Sequence, residues 1–134
     1  SNLAMKLDES VFDIKTLLEG NQKGAMDVAA LKISKFGGIT ELKKARDLCT
    51  YFGTKICIED TWGSDITTAA VLHLGISCDP NRLLNVCDLS SYVSPRLDAK
   101  IPNRNNGRIS APESIGLGVN PDLDLLGQPD LILD

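Results

Sequence analysis

Val28-Ala29-Ala30-Leu31-Lys32-Ile33-Ser34-Lys35-Phe36-Gly37-Gly38 is an apolar run broken by one lysine and closed by two glycines. A strand covered on both faces reads as a continuous apolar run and not as an alternating one. Residues 28–33 are therefore predicted as a strand of a parallel sheet, and Gly37-Gly38 as the turn that leaves it. A lysine inside such a run is costly to bury unless it is paired. Lys32 is thus the first residue that needs an account.

Working outward, the same unit recurs. On the N-terminal side, Leu3 to Leu7 is short and mostly apolar and stops at Asp8-Glu9-Ser10. Val11, Ile14, Leu17 and Leu18 follow at helical spacing, with Ser10 as the expected N-cap and Gly20 as the expected stop. On the C-terminal side, Thr40 is the expected cap of a helix that carries Leu42, Ala45, Leu48 and Cys49 on one face and ends at Gly53. Lys55 to Ile58 is a second buried strand, ending at Glu59-Asp60. A helix is predicted over about 65–74, and Leu83 to Cys87 is a last strand, ending at Asp88.

The order β-α-β-α-β-α-β with short loops predicts an α/β fold with parallel strands and right-handed crossovers. Each strand has an ionisable residue at or near its C-terminal end: Asp8, Lys32, Glu59-Asp60 and Asp88. In a (β/α)8-type barrel these ends line one mouth, where chemistry sits; an open doubly wound sheet would also gather them at one edge. From about Val93 the character changes. The segment 93–134 holds Pro95, Pro102, Pro112, Pro121 and Pro129, with Asn103, Asn105, Asn106 and Gly107 as turn signals. It is expected as an irregular tail that packs on the first 92 residues or on a partner chain.

Composition excludes several classes. Hydrophobic residues make up 43% and charged residues 24% of the 134, as in ordinary globular proteins. The net charge of -4 and the lack of a basic run argue against a nucleic-acid partner. No apolar stretch is long enough to span a membrane. Cys49, Cys57, Cys78 and Cys87 form no CxxC pair, and His73, the single histidine, is not spaced with them as a zinc ligand. They are expected as reduced, mostly buried thiols of a cytoplasmic protein.

Leu7-Asp8-Glu9-Ser10 and Ala30-Leu31-Lys32-Ile33-Ser34-Lys35-Phe36-Gly37-Gly38-Ile39, with 24 positions between Asp8 and Lys32, together resemble barrel strands five and six of the mandelate racemase/muconate lactonizing family of the enolase superfamily. Ile58-Glu59-Asp60-Thr61-Trp62-Gly63 and Cys87-Asp88-Leu89-Ser90-Ser91-Tyr92 resemble the ends of strands seven and eight. The implied fold is the C-terminal half of a TIM-like (β/α)7β barrel, strands five to eight within residues 1–92, plus the tail 93–134.

The resemblance implies that Asp8 is a carboxylate ligand of an essential Mg²⁺ and that Lys32 is the general acid/base. Removing a proton next to a carboxylate builds negative charge, which a divalent cation stabilises. A lysine near a metal in a partly dry pocket is expected to have a lowered pKa. The rival readings, less favoured, are that Asp8 caps the following helix and that Lys32 is a structural ion-pair partner of Asp8 or Asp60. Glu9 is expected to support the site without binding metal, and Lys35 to flank it.

Asp60 and Asp88 are the expected substrate-binding residues. The motifs resemble those of hydroxyproline dehydratases and proline betaine epimerases, which implies a small carboxylate substrate of the kind that bears a cationic nitrogen. Leu89 and Ser90 stand where those members have an aromatic residue and Asn, which removes one face for a cation. Trp62 offers another face or is simply packed. His73 is expected mid-helix, without a role.

The family also uses a capping domain, a second base and two more carboxylate ligands, which this chain does not contain. The expected function is therefore that of the C-terminal half of a Mg²⁺-dependent racemase, epimerase or dehydratase that is inactive alone, completed by a missing N-terminal half and prone to form a homo-oligomer. The alternatives are a non-catalytic half-barrel that retains remnant motifs, and a small ligand-binding α/β module. The absence of a glycine-rich phosphate loop counts against the last.

Overall fold

The computed structural model describes residues 2–60, 63–88, 90–101 and 103–132. Four strands, β1 (Lys6–Leu7), β2 (Val28–Lys32), β3 (Lys55–Glu59) and β4 (Leu83–Val86), form one sheet in the order β1-β2-β3-β4. Every neighbouring pair is parallel. Helices α1 (Ile14–Gln22), α3 (Ile39–Phe52) and α4 (Asp65–Ile76) make the crossovers. The short helix α2 (Ile33–Phe36) follows β2 directly. Strands laid down in chain order through helical crossovers are the arrangement of half a βα barrel, with β1 and β4 at the two open edges.

The helices pack on one face of the sheet. Ala29 and Leu31 of β2 and Ile56 and Ile58 of β3 join Leu17, Leu42, Ala45, Cys49, Val71 and Leu74 in one buried cluster, with Leu7 packed against it. Strand side chains alternate between faces, so the other face carries Lys6, Ala30, Lys32, Cys57 and Glu59. That second face corresponds to the inside of a barrel.

Local chemistry sets the element ends, and three of them differ from the sequence reading. Helix α1 begins at Ile14, where Asp13 and Thr16 form a reciprocal capping box, with Thr16 N donating to Asp13 Oδ1 at 2.7 Å. Ser10 instead lies in the turn closed by Val11 N to Asp8 O, and Gly20 lies inside the helix. A full capping box satisfies two orphan groups at once, and so wins over a lone serine three residues earlier. Gly37 and Gly38 take φ of +79° and +131°, values that a side chain resists. This lets α2 stop and α3 start without an intervening loop, Gly38 standing at the N-cap position that had been expected at Thr40.

After the 3-10 turn at Ser90–Tyr92 the described residues are irregular, apart from an isolated Asn105–Arg108 bridge and the single-turn helix α5 (Leu123–Leu126). It is tied back to α4. The Asp65 carboxylate, only 1% exposed, accepts from Arg96 Nε at 2.7 Å and from Asp98 N at 3.0 Å. Asp98 in turn accepts from Lys100 N and Asn120 N, each at 2.8 Å. His73 Nε2 lies 3.1 Å from Leu117 O, so its place is in tail packing. All four cysteines are free.

Candidate active site at the strand ends

Asp8 follows β1, Lys32 ends β2, Glu59 ends β3, and the short parallel register places these ends on one edge of the sheet. Lys32 is also the N-cap residue of α2, with extended backbone. Its side chain leaves the buried strand at the point where the chain turns into a helix, and it is 7% exposed. Lys32 Nζ lies 2.8 Å from Asp8 Oδ1 and 2.6 Å from Glu9 Oε1. Lys35, one turn further along α2, pairs with the other oxygen of Glu9. The Asp8-Glu9 pair after β1 and the Lys32/Lys35 pair around α2 thus interlock.

This pairing sets the charge states. The Asp8 carboxylate first, and Glu9 second, hold the Lys32 ammonium well above the usual lysine range, and burial opposes them more weakly. Two carboxylates within contact distance thus outweigh desolvation in this chain, whereas the lowered pKa expected of Lys32 belongs to a lysine beside a bound cation. Lys32 here is an acid that holds its proton, and whatever draws Asp8 away from it makes it a better base. Glu9 is pulled down to about 2 by its bonds to Lys32 and then to Lys35, so it stays ionised.

The contact between Asp8 and Lys32 is close, yet it is not aligned as a hydrogen bond: Asp8 Oδ1 is a buried side-chain oxygen without a hydrogen-bond donor. An anionic oxygen in that condition suits a cation ligand better than it suits a helix cap. It is one ligand only. Among the described residues no group of three or more His, Cys, Asp or Glu side chains is placed to hold a metal ion.

Asp60 sits one residue beyond β3 and turns toward α2, accepting from Ser34 Oγ at 2.5 Å and Ser34 N at 3.3 Å. Asp88 lies two residues beyond β4 and accepts from Ser90 Oγ and Ser91 N, each at 3.2 Å, at the start of the 3-10 turn. Trp62 and Leu89 lie outside the described residues. Two charged residues of the inner face carry no assigned role from the sequence, Lys6 and the strand-end Glu59. Lys6 Nζ donates to Glu59 Oε1 at 2.8 Å, reaching across β2 from β1 to β3. The signal was in the strand parity: Ile56 and Ile58 point to the helices, so Lys55, Cys57 and Glu59 must point the other way. A cavity of about 680 Å³ between α4, β4 and Gly107–Glu113 is separate, and none of these charged residues lines it.

Parallel βα units with an acid–base cluster at one set of strand ends match a known family over residues 2–125, the enolase C-terminal domain-like family. This chain belongs to that family. It is 42% identical over 127 residues to the cis-3-hydroxy-L-proline dehydratase of Roseibium aggregatum, an alignment that covers 95% of this chain and 35% of that enzyme. The crystal structure of a mandelate racemase/muconate lactonizing enzyme from Roseovarius nubinhibens superposes with a TM-score of 0.91 at 32% identity, over 98% of this chain and 36% of that one. A member of the enolase superfamily from the same organism, solved in complex with magnesium, superposes with a TM-score of 0.91 at 26% identity, over 96% and 35%. The chain thus spans about a third of the length of these family members, and its fold is the C-terminal half of their barrel.

Proposed function

We propose that this chain supplies the general acid/base and one metal ligand to a family enzyme that abstracts the α-proton of an amino-acid or proline-type carboxylate, leading to racemisation, epimerisation or dehydration. The observation that carries the proposal is the interlocked cluster of Lys32, Asp8 and Glu9 at the strand ends. The likeness to a hydroxyproline dehydratase supports the substrate class.

In this reading Lys32 Nζ takes or returns the proton at the substrate α-carbon. Its seat at the junction of β2 and α2 fixes the origin of a long side chain, which limits the ordering cost of placing the amine. Glu9, ionised and bonded to both lysines, bridges Lys32 and Lys35 and orients them. Asp8 would provide one carboxylate oxygen to a divalent cation, which when bound supplies positive charge to the substrate carboxylate. The remaining ligands, the second base and the cover over the substrate would come from the other half of the barrel. Asp60 and Asp88 would lie around the substrate, with Asp60 steadied by Ser34.

The test uses the full-length protein that carries this segment. In D₂O with Mg²⁺ and cis-3-hydroxy-L-proline or L-proline, the α-hydrogen should exchange, and the hydroxylated substrate should lose water. A folded, Mg²⁺-saturated protein with neither exchange nor elimination across a panel of amino and imino acids would refute the proposal.

A further inference from the structure

We infer that Asp60 is a positioning residue for the base: it caps the one-turn helix α2 from the neighbouring strand and so fixes the backbone from which Lys32 extends. On the α-proton reading above, on which this rests, Asp60 acts through Ser34 and Lys32 and not through the charge of the substrate.

The need for such a cap follows from the sequence. The first turn of any helix leaves N–H groups without intrahelical acceptors, and a side chain at the N-cap position normally accepts from one of them. The N-cap residue of α2 is Lys32, whose ammonium only donates, and it makes no side-chain cap bond. A helix of four residues has little stability of its own, because nucleation is unfavourable and a single turn adds too few bonds to offset it. The position that would ordinarily cap α2 is thus taken by the residue that carries the chemistry, and the acceptor has to come from another element.

Asp60 is that acceptor. Lys32 and Glu59 are register partners on β2 and β3, so the residues that follow them leave the sheet side by side. Asp60 comes directly after Glu59 and is 8% exposed. Its Oδ2 accepts from Ser34 N at 3.3 Å, and its Oδ1 accepts from Ser34 Oγ at 2.5 Å. Ser34 is the second residue of α2, a position whose N–H an N-cap side chain ordinarily takes. The other end of the turn is closed independently: Gly37 and Gly38 both donate to Ile33 O, and Phe36 is buried in the core cluster. Asp60 therefore holds the end of α2 that carries Lys32. A loosened first turn would move the Lys32 amine relative to Asp8 and to the substrate.

The experiment uses the full-length Mg²⁺-loaded protein and follows deuterium entry at the α-carbon of L- and D-proline, with Lys32→Ala identifying the enantiomer whose exchange requires Lys32. Ser34 is exposed in this chain, so Ser34→Ala removes its hydroxyl without opening a cavity. For that enantiomer, Ser34→Ala should lower kcat about three- to tenfold and Asp60→Ala about ten- to 100-fold, as expected when a reacting group is misplaced by an ångström or less, while KM and the Mn²⁺ dissociation constant stay within about threefold. Asp60→Asn keeps an oxygen for Ser34 without the charge, and it should run about fivefold or more faster than Asp60→Ala. Adding Ser34→Ala to Asp60→Ala should cost nothing further, because the two side chains act as a unit. Losses that fall on KM instead of kcat, or an Asp60→Asn variant as slow as Asp60→Ala, would overturn the inference and assign Asp60 to the charge of the substrate. Loss of Mn²⁺ binding alongside kcat would overturn it by reducing Asp60 to a structural residue. Should Asp60→Ala not fold, Ser34→Ala decides alone, and an unchanged kcat there is the overturning result. If Lys32→Ala exchanges both enantiomers normally, the α-proton reading fails; if it does not, and Ser34→Ala and Asp60→Ala keep the original kcat, only the present inference fails.

Discussion

Asp8 and Lys32 stand 24 positions apart in the chain, on adjacent strands, and the Lys32 Nζ to Asp8 Oδ1 distance is 2.8 Å. The contact is ionic and unaligned, and the carboxylate oxygen is buried without a donor. Lys32 is therefore held by two anions, while Asp8 Oδ1 has an ammonium in contact but no aligned donor. Exchanging that ammonium for a divalent cation would release Lys32 for proton transfer.

Substituting each partner should separate the two roles. In the full-length protein, Lys32→Ala should lower α-hydrogen exchange by about 10²- to 10⁴-fold, the usual contribution of a positioned acid/base, while Mn²⁺ still binds. Asp8→Asn should weaken Mn²⁺ by about tenfold or more, because one anionic ligand is lost. Paramagnetic titration with Mn²⁺ and deuterium incorporation read the two effects independently. Equal loss of both properties in both variants would reduce the pair to a structural ion pair.

The tail is fastened by Asp65, and this gives an acid-sensitive stability term. Burial, the largest single influence on Asp65, raises its pKa, yet the Arg96 guanidinium and the Asp98 and Leu97 amides together hold it below 3.8. A carboxyl with a depressed folded pKa stabilises the fold above its unfolded pKa, and the gain is lost as pH falls through the folded value. Asp65→Asn should therefore cost on the order of 2–4 kcal/mol near neutral pH, since it leaves Arg96 and buried amides poorly matched. Urea unfolding of both proteins at pH 6 and again below pH 3 should show that difference shrinking. A constant difference across that range would remove the charge from the explanation.

Much of this was legible in the sequence, and what was not has specific causes. The strands at Val28 and Lys55 announce themselves because buried parallel strands are continuous apolar runs, and the Asp8–Lys32 spacing follows from one βα unit. Helix α2 was missed because one turn has no periodicity to detect. The start of α1 was misplaced because Ser10, Asp13 and Thr16 are all capping residue types, and only the structure shows which pair is reciprocal. Glu59 was passed over for Asp60 because both end the same run; parity along Ile56, Cys57 and Ile58 assigns the inner face to Glu59, and Asp60 turns to Ser34. The Lys6–Glu59 bond spans three strands and depends on long-range register, which no local pattern encodes.

Gly75 in α4 tests how tightly the last crossover packs. Replacing a glycine inside a helix with alanine ordinarily helps by up to about 1 kcal/mol. Here an added methyl would stand 2.5 Å from Val86 Cγ2 of β4, and a β-branched side chain has little freedom to yield. The clash should win, so that Gly75→Ala destabilises the chain by about 1–3 kcal/mol. Adding Val86→Ala should recover part of the loss. Chemical denaturation of the two single variants and the double variant gives the coupling, and additive losses would mean that the helix moves away at no cost.

The chain of 134 residues studied by itself should self-associate. Its sheet ends in two edge strands, β1 of two residues and β4 of four, each paired on one side only. A strand edge offers unmet N–H and C=O groups to any other strand, and a closed barrel is the arrangement that removes them. Near β4, Leu84 is 49% exposed, and the cavity of about 680 Å³ beside it is lined by Leu72, Ile76, Leu83 and Leu84. The tail adds Leu123, Leu125, Leu126, Leu131 and Ile132, all exposed. Covering a few hundred Å² of such surface at about 25 cal/mol per Å² is worth several kcal/mol, a large part of the stability of a small domain. Two copies can recover it by pairing their edges or by covering each other's inner faces. Light scattering at micromolar concentration should give a mass of twice that of the chain or more, and Leu84→Lys, which places a charge on the exposed β4 edge, should shift the distribution toward monomer. A monodisperse monomer with a single cooperative melt would mean that the half-barrel covers its own edges, and the other half would then be needed for chemistry but not for folding.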